Sequence, residues 1–217
     1  IPISIPIALM VAACGERGGA QLPYYADATF TPHWNETAPR RVSFTLADQS
    51  GGSFTAADLS GRVYVASFIY TRCSAVCPLL VQSLGRVAAA VRSSDVALVS
   101  YSVTPDTDTP AVLAAFGEER QIDATRWRLA TGDRATIFSL AREFYFADDG
   151  RFAGTPYDFL HTEKVVLVDR HGRLRGVYNG TLAADIDRLI SAQLSAVMHA
   201  PEDRKSTRLN SSHTDIS

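Results

Sequence analysis

Short apolar runs separated by helical patterns make up most of this chain. Two runs, residues 63–70 and 96–103, are mostly apolar and rich in β-branched and aromatic side chains. Such runs are typical of strands that are buried on both faces. Between them, apolar residues recur at helical spacing over residues 79–91. A strand, a helix and a strand in this order predict a βαβ unit with parallel strands and a right-handed crossover.

The remaining pattern predicts a mixed sheet. Residues 42–46 and 52–55 alternate between apolar and polar side chains on either side of a turn cluster, which predicts an N-terminal β-hairpin. Two further runs flank the turn at 170–173 and predict a second hairpin near the C-terminus. The other elements are a short strand over residues 127–130 and three helices over residues 109–117, 133–141 and 182–194. We therefore expect an α/β domain with a mixed central sheet flanked by helices.

Two cysteines lie where the first buried strand meets the first helix. Cys73 and Cys77 occupy this loop, and Pro78 follows as expected in the first turn of a helix. The partial positive charge of a helix N-terminus favours thiolates. A βαβ unit with cysteines at its strand-to-helix turn suggests a thioredoxin-like fold. If both residues were helical, their spacing would put the Cα atoms about 6 Å apart, which permits either a disulfide or two sulfur ligands on one metal ion.

A third ligand is expected if the pair binds metal. Thiolates are soft donors that select Cu(I) or zinc, and two sulfurs leave the coordination incomplete. His161, just before the second hairpin, is the best candidate, whereas His33 and His171 are expected to be solvated. A set of two cysteines and one histidine suits copper, and structural zinc would need a fourth ligand. The alternatives for the cysteines are a plain structural disulfide or two small buried apolar residues.

Composition and the N-terminal region indicate an exported protein. The 217 residues carry a formal net charge of −2 and three cysteines, which gives no case for nucleic-acid binding or a disulfide-rich fold. Residues 1–14 read as a lipoprotein signal, truncated at its start, that ends at a lipidated Cys14; an ordinary signal peptide is the alternative. Residues 15–40 are expected to be a linker and 41–202 to be the folded domain. Lipidation would tether that domain to a membrane.

The C-terminal residues have a different character. Residues 203–217 show no apolar periodicity, and 203–213 resemble the in-frame translation of a common sequencing adapter. We interpret this tail as an artefact and exclude it from the fold. His213 is therefore not a candidate ligand.

The motifs together resemble the Sco/SenC family of copper-delivery proteins. The resemblance covers about residues 40–200 and rests on residues 70–78 (Tyr-Thr-Arg-Cys-Ser-Ala-Val-Cys-Pro), on Asp108-Thr109-Pro110, and on His161 ahead of 165–173. It implies a thioredoxin-like domain, tethered in the bacterial cell envelope with the domain in the periplasm or extracytoplasmic space. It also implies that Cys73, Cys77 and His161 bind one copper, as Cu(I), Cu(II) or both. The implied role is a metallochaperone rather than an enzyme.

The partners implied by the resemblance are the copper-bearing subunit of cytochrome c oxidase or another copper chaperone. Two departures from the family pattern bear on the site: residues 74–76 lack the acidic residue that many members carry between the cysteines, and Thr104 replaces the aspartate of an Asp-Pro pair. Two other functions remain open at this point. One is a thiol-disulfide oxidoreductase acting on exported cysteines, since copper-binding thiolates also exchange disulfides, and the other is a copper or redox sensor.

Overall fold

A seven-stranded mixed sheet forms the centre of the domain. The structure is a computed structural model that describes residues 22–35, 37–92, 95–148, 162–194 and 197. The strand order is β2-β1-β5-β4-β3-β6-β7. The strands are β1 (Thr45–Asp48), β2 (Ser53–Thr55), β3 (Tyr64–Ile69), β4 (Ala97–Ser102), β5 (Trp127–Thr131), β6 (Lys164–Val168) and β7 (Leu174–Asn179).

Helices cover both faces of this sheet. They are α1 (Val76–Ala90), α2 (Pro110–Glu119), α3 (Arg134–Ser139) and α4 (Ala183–Arg188). Helices α3 and α4 each continue into a π-helical turn, over Leu140–Phe144 and Leu189–Gln193. Apolar residues of α1, α2 and α4 belong to one core cluster and those of α3 to the other. The expected α/β architecture of a mixed sheet flanked by helices is confirmed.

Strand β3 separates the two cores, as its apolar run predicts. Tyr64 and Phe68 point into the core beneath α3, and Val65 and Ile69 point into the core beneath α1. Because successive side chains of a strand point to opposite faces, a run buried on both faces must be apolar throughout. All six residues of β3 are buried.

Strand directions bring several chain segments to one edge of the sheet. Strand β3 is parallel to β4, and β4 is parallel to β5. Strand β6 runs antiparallel to β3, with Tyr64 opposite Val168 and Ala66 opposite Val166. The N-terminal end of β6 therefore lies beside the C-terminal end of β3, where the cysteine-bearing loop starts.

Both predicted hairpins are present. Strand β6 pairs with β7 around the turn at 169–173, and β1 pairs with β2. The first hairpin is shifted along the chain: β1 begins at Thr45 rather than at residue 42, and Ala47 and Asp48, which were expected in the turn, belong to it. They are held in the sheet by pairing with β5, where Ala47 lies opposite Thr131.

The segment expected to be a linker is packed against the domain over part of its length. Leu22 and Tyr24 are buried, and Tyr25 bridges to Leu174 of β7 through backbone hydrogen bonding. The Arg175 guanidinium donates to the carbonyl oxygens of Leu22, at 2.8 Å, and Pro23, at 3.1 Å. We call residues 22–25 with Arg173 and Arg175 the arginine clasp. Ordered packing thus begins well before residue 41.

Several sequence-based predictions lie outside the described residues. These are the signal at 1–14 with Cys14, the tail at 203–217, and the ligand candidate His161. Within the part of the chain that is described, no helix is long and apolar enough to cross a membrane.

Candidate metal centre

The cysteine loop connects β3 to α1. Its backbone turns at Tyr70, whose carbonyl oxygen accepts a hydrogen bond from the Cys73 N–H at 3.2 Å. Helix α1 begins at Val76, so Cys73 precedes the helix and Cys77 lies in its first turn. Both thiols are half-buried. The predicted position of the pair at a helix N-terminus is confirmed, although Cys73 itself is not helical.

The sulfur of Cys73 takes the place of a helix cap. Residue Ala75, at the cap position, makes no side-chain hydrogen bond, and the Cys77 N–H instead donates to the Cys73 Sγ at 3.4 Å. Burial raises the pKa of Cys73, but hydrogen bonds from the backbone N–H groups of Cys77 and Ala75 outweigh it and leave the pKa below its ordinary value. The backbone N–H groups at the start of α1 therefore favour the thiolate form of Cys73.

Cys77 behaves in the opposite way. Burial, followed by its hydrogen bond with Cys73, raises the pKa of the Cys77 thiol to about 12, although the Tyr70 N–H partly opposes this shift. The two half-buried sulfurs therefore form an asymmetric pair, in which the pKa of Cys73 is lowered and that of Cys77 is raised. Cys73 is the better nucleophile or ligand, and Cys77 must lose its proton before it can bind a metal.

A buried carboxylate lies beside the cysteine loop. Asp108 has no exposed surface, and its oxygens accept hydrogen bonds from Thr71 of the loop and from Ser102 and Thr104 at the end of β4. The sequence shows Asp108 only as part of a motif and gives it no role. Thr104, read from the sequence as the loss of a carboxylate, proves to be a buried hydroxyl donor to Asp108.

The described residues supply the two sulfurs of the predicted site and no third ligand. Among them, no group of three or more His, Cys, Asp or Glu side chains is arranged to hold a metal ion. His161 lies just outside, three residues before the start of β6. His171 is exposed in the β6–β7 turn, with its Nδ1 3.3 Å from Arg173 Nη2. His33 lies in the N-terminal segment and bridges to Tyr24 through its backbone.

Comparison with known proteins identifies the family. The SCO1/SenC family model matches residues 33–197. The chain belongs to the SCO1/SenC family. The matched region contains β1 through β7, the cysteine loop and position 161, and it begins before the domain boundary expected at residue 41.

Relatives within the family share about a quarter of their residues with this chain. The SCO1 protein homolog of Bacillus subtilis (strain 168) is 28% identical over 156 residues, which cover 70% of this chain and 80% of the relative. A SCO1/SenC family lipoprotein from Bacillus anthracis str. Ames is similar in structure, with a TM-score of 0.61 and 27% identity over 71% of this chain and 92% of that one.

Two further Sco structures bear on the chemistry of the site. BsSco, described as having a disulfide switch and as a member of the Sco family of cytochrome c oxidase assembly proteins, matches with a TM-score of 0.61 and 26% identity, over 73% of this chain and 93% of that one. Bradyrhizobium japonicum ScoI, solved with copper bound, matches with a TM-score of 0.54 and 27% identity, over 68% of this chain and 97% of that one. Homologous Sco proteins thus hold copper on this fold.

Proposed function

We propose that this protein is a copper metallochaperone that binds one copper ion through Cys73, Cys77 and His161. Its cargo passes by ligand exchange to the copper-bearing subunit of cytochrome c oxidase or to another copper chaperone. Copper is here the transported substrate, and the protein's own residues supply the ligands and their geometry.

The observation that carries this proposal is the asymmetric sulfur pair. Cys73 offers a sulfur of lowered pKa just before α1, with its Sγ 3.4 Å from the Cys77 backbone nitrogen. Both sulfurs are half-buried, so a partner's thiols can approach. Soft thiolates match Cu(I), and a site of few ligands close to the surface permits transfer as well as binding.

The family relationship supports the identity of the metal. Bradyrhizobium japonicum ScoI is 27% identical and was solved with copper bound. The antiparallel pairing of β3 and β6 gives a physical reason to retain His161 as the third ligand, because the chain enters β6 at the edge of the sheet where the cysteine loop leaves β3.

The cellular location is also part of the proposal. We propose lipidation at Cys14, with the domain held at a bacterial membrane on its extracytoplasmic side. The similar protein from Bacillus anthracis is described as a lipoprotein, which agrees with the sequence around residue 14. A lipid chain would keep a copper carrier close to membrane-bound partners.

A second function is favoured by one observation. A thiol of lowered pKa beside a thiol whose pKa is about 12 is also the arrangement expected of a disulfide exchanger, in which the first sulfur attacks and the second resolves. A disulfide switch is described for BsSco. The alternative proposal is therefore a thiol-disulfide oxidoreductase that reduces cysteines of an oxidase subunit or another exported protein.

The deciding experiment compares two histidine variants of the metal-free protein. His161→Ala should weaken Cu(I) binding at least about 100-fold, measured by competition with a chromophoric chelator, because a direct ligand is lost. His171→Ala is the control, because this histidine is exposed in the β6–β7 turn, and it should bind copper like the wild type. If His161→Ala binds copper normally and the protein turns over disulfide substrates rapidly, the oxidoreductase function replaces the chaperone function.

A further inference from the structure

The carboxylate of Asp108 is fully buried and is surrounded by uncharged donors. Its Oδ1 accepts the Thr71 hydroxyl at 2.5 Å, and its Oδ2 accepts the Thr71 N–H at 3.2 Å, the Ser102 hydroxyl at 2.7 Å and the Thr104 hydroxyl at 3.0 Å. Within the described part of the chain it forms no salt bridge. A buried charge without a cation is tolerated only when its hydrogen bonds are complete. These donors are therefore held in place as a group.

Asp108 is itself fixed to the sheet. Ser102 is the last residue of β4, and its hydroxyl also accepts the Thr104 N–H at 3.1 Å. The Asp108 N–H donates to the Thr104 carbonyl at 2.9 Å, which closes a tight turn around the carboxylate. Strand β4 pairs with β3 along all six residues, up to Ile69 opposite Ser102. The carboxylate is thus fixed to the end of β4, the strand next to the one from which the cysteine loop leaves.

Thr71 connects Asp108 to the cysteine loop. Its hydroxyl donates to Oδ1 of Asp108 and its N–H donates to Oδ2. The preceding residue, Tyr70, accepts the Cys73 N–H on its carbonyl oxygen at 3.2 Å, and its backbone also lowers the pKa of Cys77. One backbone step therefore separates the partner of Asp108 from the residue whose backbone contacts Cys73.

We infer that Asp108 is a positioning residue that holds the cysteine loop, through Thr71, in the geometry that keeps Cys73 and Cys77 together at the start of α1. The network is in place while both thiols are reduced, so its loss penalises the dithiol form relative to the disulfide. For copper binding, the inference rests on the proposed function, because the same loop geometry would present the two sulfurs to the metal.

The test changes Thr71 rather than Asp108. Removing the carboxylate would leave four buried donors unpaired and endanger folding. Thr71→Val removes the hydroxyl donor and keeps the branched shape, whereas Thr71→Ser restores the donor. Ser67→Ala is the control, because it removes a buried hydroxyl of β3 that is hydrogen-bonded to Ser100 rather than to Asp108.

The first measurement needs no metal. The Cys73–Cys77 disulfide is equilibrated with glutathione, so that two glutathione thiols are oxidised to one glutathione disulfide as the protein disulfide becomes two thiols. We expect Thr71→Val to shift this equilibrium toward the protein disulfide by about 5- to 10-fold, as a lost hydrogen bond to a buried charge implies. Thr71→Ser should resemble the wild type. A shift in Thr71→Val no larger than in Ser67→Ala, or in the opposite direction, would overturn the inference.

The second measurement is Cu(I) affinity by chelator competition on the same variants. Thr71→Val should bind about 10-fold more weakly, Thr71→Ser should recover, and Ser67→Ala should show a lower Tm without the loss of affinity. Unchanged affinity in Thr71→Val would overturn the inference for copper. If the wild-type protein itself does not bind Cu(I), the proposed function fails, and the glutathione equilibrium alone decides the role of Asp108.

Discussion

Two buried aspartates near opposite ends of β3 differ in the groups that compensate the burial of their carboxylates. Asp169 follows β6 and accepts Arg173 Nε at 2.9 Å and Arg175 Nη1 at 3.4 Å, and all three side chains are buried. Asp108, at the end that carries the cysteines, accepts hydroxyl and amide donors and forms no salt bridge within the described residues. Charges paired with cations secure the fold at one end, whereas at the other a carboxylate with uncharged donors is hydrogen-bonded to the loop that carries the thiols.

The largest expected effect is on stability at the Asp169 end. Asp169→Asn would remove the buried carboxylate charge that both guanidinium groups contact, and the free energy of unfolding should fall by about 3–5 kcal/mol. Urea denaturation followed by circular dichroism measures this change. The control is Asp187→Asn, since the Arg86–Asp187 pair is about half exposed and should contribute about 0–1 kcal/mol.

The same variant also tests the separation between the two ends. Asp169→Asn, while folded, should keep the wild-type rate of thiol alkylation, because the arginine clasp lies at the far end of β3 from the cysteines. Altered thiol reactivity in the folded variant, or a loss of stability no larger than that of Asp187→Asn, would remove the distinction between the two aspartates.

A smaller loss of stability is expected where the cysteine helix meets β6. A Cβ at Gly180 would lie 2.2 Å from Leu80 Cδ1 and 2.8 Å from Val165 Cγ2. Gly180→Ala should therefore destabilise the protein by about 1–3 kcal/mol through overpacking. Gly85→Ala, in α1 with nothing within 4 Å of the added Cβ, is the control and should stabilise by about 0.5–1 kcal/mol. Equal effects would mean that α1 and β6 are not tightly packed at this end.

The cysteine end should show its asymmetry in chemical reactivity. In the metal-free protein, Cys73 should react with iodoacetamide at least about 10-fold faster than Cys77 near pH 7, because its pKa lies below and that of Cys77 above the ordinary value. Peptide mass spectrometry after short labelling separates the two sites. In urea the two rates should converge, and equal rates in the folded protein would contradict the assigned hydrogen bonds.

The smallest expected effect concerns Asp48, whose carboxylate contacts both uncharged hydrogen-bond donors and an arginine. Asp48 is buried, which raises its pKa, but hydrogen bonds from Ser50 and the Arg128 charge together lower the pKa below its ordinary value. Such a group stabilises the fold at neutral pH, and the contribution is lost as the pH falls through its folded-state pKa. Asp48→Asn should cost about 0.5–1 kcal/mol at pH 7, a modest value because Arg128 is partly exposed.

The pH dependence supplies the check on Asp48. The difference in unfolding free energy between wild type and Asp48→Asn should begin to shrink as the pH falls below about 4, the ordinary pKa of the unfolded chain, and should be lost below the lowered folded-state pKa. A difference that persists unchanged at lower pH would assign the effect to shape rather than charge.

Local patterns were sufficient to predict the sheet and the thiols. The apolar run of β3 could only be a strand buried on both faces, and the spacing of Cys73 and Cys77 after it placed both sulfurs at the start of a helix. The departure in the first hairpin, where Ala47 joins β1, arose from pairing with β5, a contact that lies more than eighty residues away along the chain.

Polar contacts between residues far apart in the chain could not be predicted from the sequence. Thr71 and Asp108 are 37 residues apart, and Arg175 reaches Leu22 across 153 residues. No periodicity reports such pairings, because each depends on which strand ends the fold brings together. The role of Asp108 could therefore not be predicted, and the polar composition of residues 15–40 concealed the buried contacts of Leu22 and Tyr24.

The arginine clasp reduces the length of chain between the proposed lipid at Cys14 and the first packed residue of the domain. If Cys14 carries the proposed lipid, eight residue steps, and not the whole stretch to residue 40, separate the lipid from Leu22, the first residue of the clasp. A fully extended chain of that length spans at most about 29 Å. The domain would then search a shallow layer next to the bilayer rather than the full depth of the periplasm. Its copper would be offered only to acceptor sites displayed within that layer.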